Sequence, residues 1–296
     1  MLQVQKSFNN KNSTIYFVTT PIGNLNEFNF RAINILKEVG AIFCEDTRTS
    51  KKLLDKFDIH NKTFAFHKFN ELQMLNTLKQ YIEKNQSIAI ISDAGVPGFS
   101  DPGLKTIEQL LYKDNIEVNI VTVGAGSALN YALISAGIYF HNFIFLGFLE
   151  RKKTKIQEEF LKYKNAINNQ EDILFTFYES VHRIKDTIDL LKTVFTEDSL
   201  VAICREITKL NEEIIRGNLT EVSEFVGSKN FVDKGEFVVV VKPKWITKTI
   251  EDMNEIFALI DELVKKGFKL NESVKEVASN NNLDKKTLYK MYINSK

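Results

Sequence analysis

Two periods of apolar spacing alternate along the first 123 residues. Short continuous apolar runs at 14 to 19, 41 to 44, 87 to 92 and 117 to 122 have the length and β-branched content of buried strands. Between them, near 28 to 39, 48 to 56, 71 to 84 and 103 to 113, apolar residues recur at helical spacing, as in the stripe Phe28, Ala32, Leu36 and Val39. Alternation of this kind predicts a mostly parallel sheet with helices on its faces. Two of the strands run into loops of small residues: Ile15 to Val18 opens into TTPIGN (19 to 24), and Ser87 to Ile91 into SDAGVPGFSDPG (92 to 103). In open α/β sheets such loops line the ligand site, and glycine serves where backbone must approach a ligand or take positive φ. The two transitions predict one crevice.

Near residue 124 the pattern changes to Gly-Ala-Gly-Ser, followed by a predicted helix from Ser127 to Ala136, which marks a hinge. Strands are then predicted at 142 to 148, 172 to 178, 200 to 204 and 236 to 241, separated by helices at 155 to 168, 181 to 195 and 218 to 227. Phe237 to Val241 is β-branched and continuous enough to be a central strand. Pro243, Trp245 and Thr247 mark a linker, after which the chain reads as helical: a longer helix at 251 to 266 and two short ones. Ser273 with Glu276 forms a capping box, Asn280 to Asn282 a turn, and Asp284 caps a helix carrying Leu288, Met291 and Tyr292. The tail has a helix-turn-helix-like layout with Lys285, Lys286 and Lys290 on its last helix, and reads either as a small helical cap with solvated lysines or as a contact for RNA or a partner. The expected domains are 12–123 and 124–245, both α/β, and a small helical domain at 250–296.

At 296 residues, with 44% hydrophobic and 26% charged side chains, the chain matches soluble globular proteins and needs no disulfide or metal to fold. A net charge of +1 means that a nucleic-acid partner would have to be met by local basic patches. Cys44 and Cys204 end apolar runs and read as buried, reduced thiols of a cytoplasmic protein. The polar amino terminus is unlike a signal peptide, and no apolar run approaches the ~20 residues of a membrane helix. Metal chemistry has little support, since His60, His67, His141 and His182 show no ligand spacing and no CxxC pair occurs. Neither a nucleophile elbow nor a phosphate-binding glycine loop is present, so a ligand without phosphate fits the crevice better.

Eight motifs occur in order: TTPIGNLNEFNFRA (19 to 32), CEDTRTSKKLL (44 to 54), SDAGVPGFSDPG (92 to 103), VGAGSALNYALISAG (123 to 137), GFL (147 to 149), FYESVHR (177 to 183), CREITK (204 to 209) and KGEFVVVV (234 to 241). In them the chain resembles the tetrapyrrole methylase superfamily of S-adenosylmethionine-dependent methyltransferases, and within it the ribosomal RNA small subunit methyltransferase I family. That resemblance implies two α/β domains with the cofactor between them, a homodimer, and methylation of a cytidine 2′-hydroxyl in the decoding region of 16S rRNA, within the small ribosomal subunit. S-adenosylhomocysteine would be the product, and no metal is implied. Carried over by position, the cofactor contacts would be Ile22, Gly23, Ser92, Asp93, Gly95, Val96, Ser127, Ala128, Glu179 and Ile207. Gly23 and Gly95 could instead serve only turns, and Ala128 and Ile207 only packing. The chain departs from the family at Val123 to Gly126, where members usually carry proline-glycine-proline, and at Val96, often threonine.

Glu45, Asp46 and Arg48 follow a strand and are the first candidates for positioning substrate and accepting a proton, the alternative being an Asp-Arg pair that caps the next helix. His182 with Arg183, and Arg205 with Glu206, are second-domain candidates, since guanidinium groups suit phosphate, although each could be half of a buried salt bridge. Arg151, Lys152, Lys153 and Lys155 form the densest basic run and could hold RNA phosphates or simply be a solvated helix start. A methylase of a tetrapyrrole or other small molecule, and a catalytically silent ribosome-assembly factor on the same fold, are the competing functions.

Overall fold

A computed structural model describes residues 1–167, 172–246, 253–281 and 283–296; the predicted roles of Thr247 and Asn282, and the helix ends at 168 and 251, lie outside the described residues. One unit, Met1–Lys244, holds two sheets, and Trp245–Lys296 forms a second unit. The first sheet contains β2 (Thr14–Val18), β3 (Ala41–Cys44), β4 (Thr63–Ala65), β5 (Ile88–Ile91) and β6 (Asn119–Val123), in the order β4-β3-β5-β2-β6. Every pairing in it is parallel. Its strands read as unbroken apolar runs because both faces are covered. Ile15, Phe17, Phe43 and Ile90 pack on one side, while Val18, Ile42, Cys44 and Ile91 pack on the other with Ile35, Leu36 and Leu54. Those last three come from α1 (Phe30–Glu38) and α2 (Thr47–Lys56). Each fully buried side chain of this kind contributes about 1.5–3 kcal/mol.

Parallel pairing has a positional consequence. All five strands end at the same edge, so the loops that follow Val18, Cys44, Ala65, Ile91 and Val123 converge there. The connections include α3 (Leu75–Glu83) and α4 (Leu104–Glu108), and α4 gives way at Gln109–Lys113 to a turn of wider π helix rather than continuing as predicted.

The second sheet is mixed, in the order β1-β10-β9-β11-β8-β7: β1 (Gln3–Lys6), β7 (Asn142–Phe148), β8 (Ile173–Glu179), β9 (Leu200–Arg205), β10 (Glu213–Asn218) and β11 (Phe237–Lys242). β11 is interior, bonded to β8 and β9, as its composition predicted. Around this sheet lie α6 (Lys153–Ile167), α7 (Ile184–Leu191) and α8 (Leu219–Gly227). Between the sheets runs α5 (Ala128–Ser135), whose Ala132, Leu133 and Ile134 share one core with Ile120 on one side and Ala202, Cys204, Val238 and Val240 on the other.

β1, β4 and β10 are not predicted by the sequence pattern. Gln5 of β1 explains why: its amide donates to the Ile120 carbonyl at 2.9 Å and accepts from the Ile120 N–H at 2.9 Å, so a polar side chain stands in for a missing strand beside β6. Arg216 of β10 is buried, and its guanidinium donates to Gln5 Oε1 at 2.7 Å and to the Ser135 carbonyl at 3.0 Å.

The second unit consists of α9 (Met253–Lys265), α10 (Leu270–Asn280) and α11 (Lys285–Asn294), packed through Ile256, Ile260, Val274, Val277, Leu288 and Tyr292. The capping box expected at Ser273 is corrected: α10 begins at Leu270, and the buried Ser273 hydroxyl donates back to the Lys269 carbonyl at 3.2 Å. Asp284 caps α11 by accepting from the Thr287 N–H at 2.9 Å. Met291 is exposed rather than part of the buried stripe. No helix among the described residues is long and apolar enough to cross a membrane.

Candidate functional site

At the carboxyl edge of the parallel sheet, the two glycine-bearing loops that follow β2 and β5 are stitched together. Thr20 donates its N–H to the Gly95 carbonyl at 2.9 Å and accepts from the Gly95 N–H at 3.1 Å. Gly95 sits at φ +85°, open to glycine at no steric cost, and its neighbour across the bridge is Ile22, 85% exposed. Gly23 differs, because it has no positive φ and a Cβ built on it would meet no atom within 4 Å. The turn therefore does not require glycine at position 23, and the space before it is open. Ser92 is buried and spends its hydroxyl on the carbonyls of Ala94 and Gly95, each at 3.3 Å, which shapes the loop. Val96 packs against the core, whereas Ser127 and Ala128 are exposed at the start of α5.

Carboxylates crowd this edge. Asp93 accepts from the Asp46 N–H at 3.3 Å, linking the loops after β5 and β3. Asp46 caps α2 by accepting from the Arg48 N–H at 2.8 Å and grips the Arg48 guanidinium with both oxygens, at 3.1 and 2.8 Å. These bonds hold the Asp46 carboxyl down at about 2. The capping pair weighed from the sequence is thus present, with the Arg48 side chain still 88% exposed.

Asp101 is the residue that sequence reasoning missed. It lies in the SDPG half of the second loop, and burial together with the nearby charges of Glu45 and Asp93 pushes its carboxyl up to about 6, against a hydrogen bond from Ser92 and the field of Lys68. Its neighbour Ser100 takes φ +67°. Its signal in the sequence is the second aspartate of that loop, which no local spacing distinguishes from a turn residue.

The other candidates line the matching edge of the mixed sheet. Antiparallel register places Phe237 opposite both Glu179 and Arg205, and Arg205 opposite Glu213. Glu179 is buried and accepts from the Ser180 N–H at 2.8 Å and the Thr187 hydroxyl at 2.7 Å. Arg183 lies 3.7 Å from Glu179 and donates to the carbonyls of Leu149 and Glu150 at 3.0 and 2.6 Å, bracing the start of the exposed basic run Arg151–Lys155. Arg205 forms a buried pair with Glu213 at 3.1 Å. Glu206 binds Lys209 at 2.7 Å and the Glu236 N–H at 3.0 Å, which lowers its pKa and ties it into its own loop.

Glu206 and Thr208 sit at φ +51° and +66° on either side of the partly buried Ile207. For a β-branched threonine that conformation is an outlier, and such outliers cluster at functional segments. A cavity of about 410 Å³ opens beside them, lined by Lys6, Arg205, Glu206, Glu213 and Lys234. A neighbouring one of about 650 Å³ takes in His182, Lys185 and Lys234. Among the described residues, no hydrogen bond joins the two groups of candidates.

The first edge suits a sulfonium methyl donor. Gly23 and Gly126 leave open space before the backbone, the buried Thr19 hydroxyl has no partner, and the surrounding carboxylates complement a positive sulfur. No group of three or more potential metal ligands occurs among the described residues.

Comparison with known proteins agrees with that chemistry. Residues 14–223 match the family model of the tetrapyrrole (corrin/porphyrin) methylases. The chain is 35% identical to the ribosomal RNA small subunit methyltransferase I of Halalkalibacterium halodurans, over 98% of this chain and 99% of that one. It is 34% identical to the protein of that name from Bacillus subtilis, over 99% of each, and 40% identical to that from a Hydrogenobaculum species, over 77% of this chain and 94% of the other. On these matches the chain belongs to the tetrapyrrole methylases and, within them, to the ribosomal RNA small subunit methyltransferase I family.

Proposed function

We propose that this protein transfers a methyl group from S-adenosylmethionine to the 2′-hydroxyl of a cytidine ribose in the decoding region of 16S rRNA, within the small ribosomal subunit. The observation that carries the reading is the meeting, at one edge of a parallel sheet, of an open glycine-lined space and a desolvated carboxyl, in a chain whose full-length relatives bear an rRNA methyltransferase name. When bound, the cofactor supplies an electrophilic methyl on a positively charged sulfur. Ile22, Gly23, Gly95 and Val96 would border it from the first half, Ser127 and Ala128 from the interdomain helix, and Glu179 and Ile207 from the second half. Ser92 and Asp93 set the loop that faces it.

Asp101 would take the proton that the ribose hydroxyl loses when it is methylated. A carboxyl raised to about 6 is a better base than an ordinary one and is still ionised at neutral pH. Glu45 keeps that carboxyl electrostatically poised, while Asp46 holds Arg48 out toward RNA phosphate. Alignment contributes up to ~7–11 kcal/mol and the base ~10²- to 10⁴-fold. Arg183 and Glu206 act in this scheme as positioning residues, and Arg151, Lys152, Lys153 and Lys155 meet RNA backbone.

Self-association would use β7, an edge strand carrying the exposed Phe143, Phe145 and Phe148, since an open apolar edge invites a second copy. Two buried free cysteines suit a reducing cytoplasm. Incubation with labelled S-adenosylmethionine and small ribosomal subunits, naked rRNA or a porphyrin, followed by nucleoside analysis, tests the proposal. Label in a 2′-O-methylcytidine supports it; label only in the porphyrin, or none despite calorimetric cofactor binding, rejects it.

A further inference from the structure

Among the described residues, Phe69 has the highest exposure of any large apolar side chain, 91%. It stands in the loop that follows β4, and parallel pairing puts that loop at the same sheet edge as Glu45 and Asp101. The loop is anchored on both sides. Phe66 is fully buried against Phe43, the His67 N–H donates to Asn70 Oδ1 at 2.8 Å, and the Asn70 amide donates to the Ala65 carbonyl at 3.0 Å. Glu71 is buried and accepts from the Gly103 N–H at 2.8 Å, which fastens this loop to the one that carries Asp101. The Phe69 ring touches the edge of His67, with centroids 6.2 Å apart. Beside it the exposed Lys68 casts its positive charge on both Asp101 and Glu71.

A pinned loop that holds one aromatic ring in water gains nothing for the fold, yet presents the ring with little ordering cost on binding. The ring's neighbours in sequence are Lys68, Asn70 and Glu71, with the exposed Leu72 three positions on, so an aromatic ring stands beside a cation and not on a row of exposed phenylalanines such as that of β7. Aromatic rings beside basic groups are how proteins hold single-stranded nucleic acid, the ring stacking on a base and the cation meeting phosphate.

We propose that Phe69 is a stacking platform for an RNA base adjacent to the ribose that is methylated, with Lys68 neutralising the neighbouring phosphate. This rests on the RNA methyltransferase reading above. Phe69 is a positioning residue, since it holds the strand and does not touch the reacting atoms.

The test compares wild type with F69A, F69L and F69W in methyl transfer to small ribosomal subunits. In parallel it follows quenching of 2-aminopurine in a single-stranded RNA oligonucleotide, cofactor calorimetry and sedimentation. The expected result is a KM for subunits about tenfold higher in F69A and F69L, with kcat, cofactor affinity and oligomeric state unchanged. F69W restores KM, and quenching is lost in F69A and F69L alone. An unaltered KM and quench in F69A overturns the proposal, as does full function in F69L, which would mean apolar contact without stacking. A changed oligomeric state in F69A also overturns it, because a second copy would then cover the ring. Should wild type methylate no RNA, the functional reading fails, and the quench decides the stacking by itself: lost in F69A it stands, absent from wild type it falls.

Discussion

The two sheets treat charge in opposite ways. Along the edge of the mixed sheet, the acidic groups are paired or capped: Arg205 with Glu213, Lys209 with Glu206, and Glu179 with a serine N–H and a threonine hydroxyl. Along the edge of the parallel sheet, the charges of Glu45 and Asp93 raise the cost of ionising Asp101, and among the described residues there only Asp46 holds a guanidinium. Paired charge buried in a sheet edge fixes geometry. Unpaired charge in a crevice is a cost that the fold tolerates elsewhere for the sake of chemistry. The difference teaches where to look: the second half holds the frame, and the proposed chemistry lies on the first half.

The contrast is most sharply broken at Asp101. D101N should lower kcat about 10²- to 10⁴-fold with small subunits as substrate, and wild-type kcat should rise as pH passes through about 6. Stability should move the other way. Because the folded carboxyl is raised from 3.8 to about 6, the folded state favours the protonated form, and the cost of ionisation grows as pH rises across that window. D101N should therefore be more stable than wild type at pH 8, by about 1 kcal/mol after allowing for solvent screening, and no different below pH 3.5. Thermal melts at the two pH values read this; an equal or lower melting temperature at pH 8 would count against a desolvated carboxyl.

R205A probes the opposite half. It strands Glu213 in a buried site and should cost about 3–5 kcal/mol in chemical denaturation, while leaving the pH profile of residual activity unmoved. A shifted profile would mean that the frame takes part in the chemistry. Next in size is G23A, which meets no atom and needs no unusual φ, so its melting temperature should match wild type. Cofactor affinity by calorimetry should nevertheless fall about tenfold if the donor lies against that turn. The smallest effect belongs to the basic run: K152A with K153A should flatten the salt dependence of RNA binding by about 0.7 per lysine and leave cofactor affinity alone.

Legibility followed the range of the interactions. The strands of the parallel sheet and the β11 centre of the mixed one were readable because continuous apolar runs report burial directly. β1 and β10 were not, since Gln5 and Arg216 are polar residues whose partners lie more than 80 positions away in sequence. Ser273 failed as a cap because Leu270 is already inside the helix, a boundary decided by packing against Ile256 and Ile260. Within the candidate site, Gly95 and the Asp46–Arg48 cap could be argued from local spacing, because a turn and a helix start are made by neighbours. Asp101 and Phe69 could not. A carboxyl's pKa and an aromatic ring's exposure depend on which other loops arrive at the same edge, and for this chain that was settled only when five parallel strands brought their ends together.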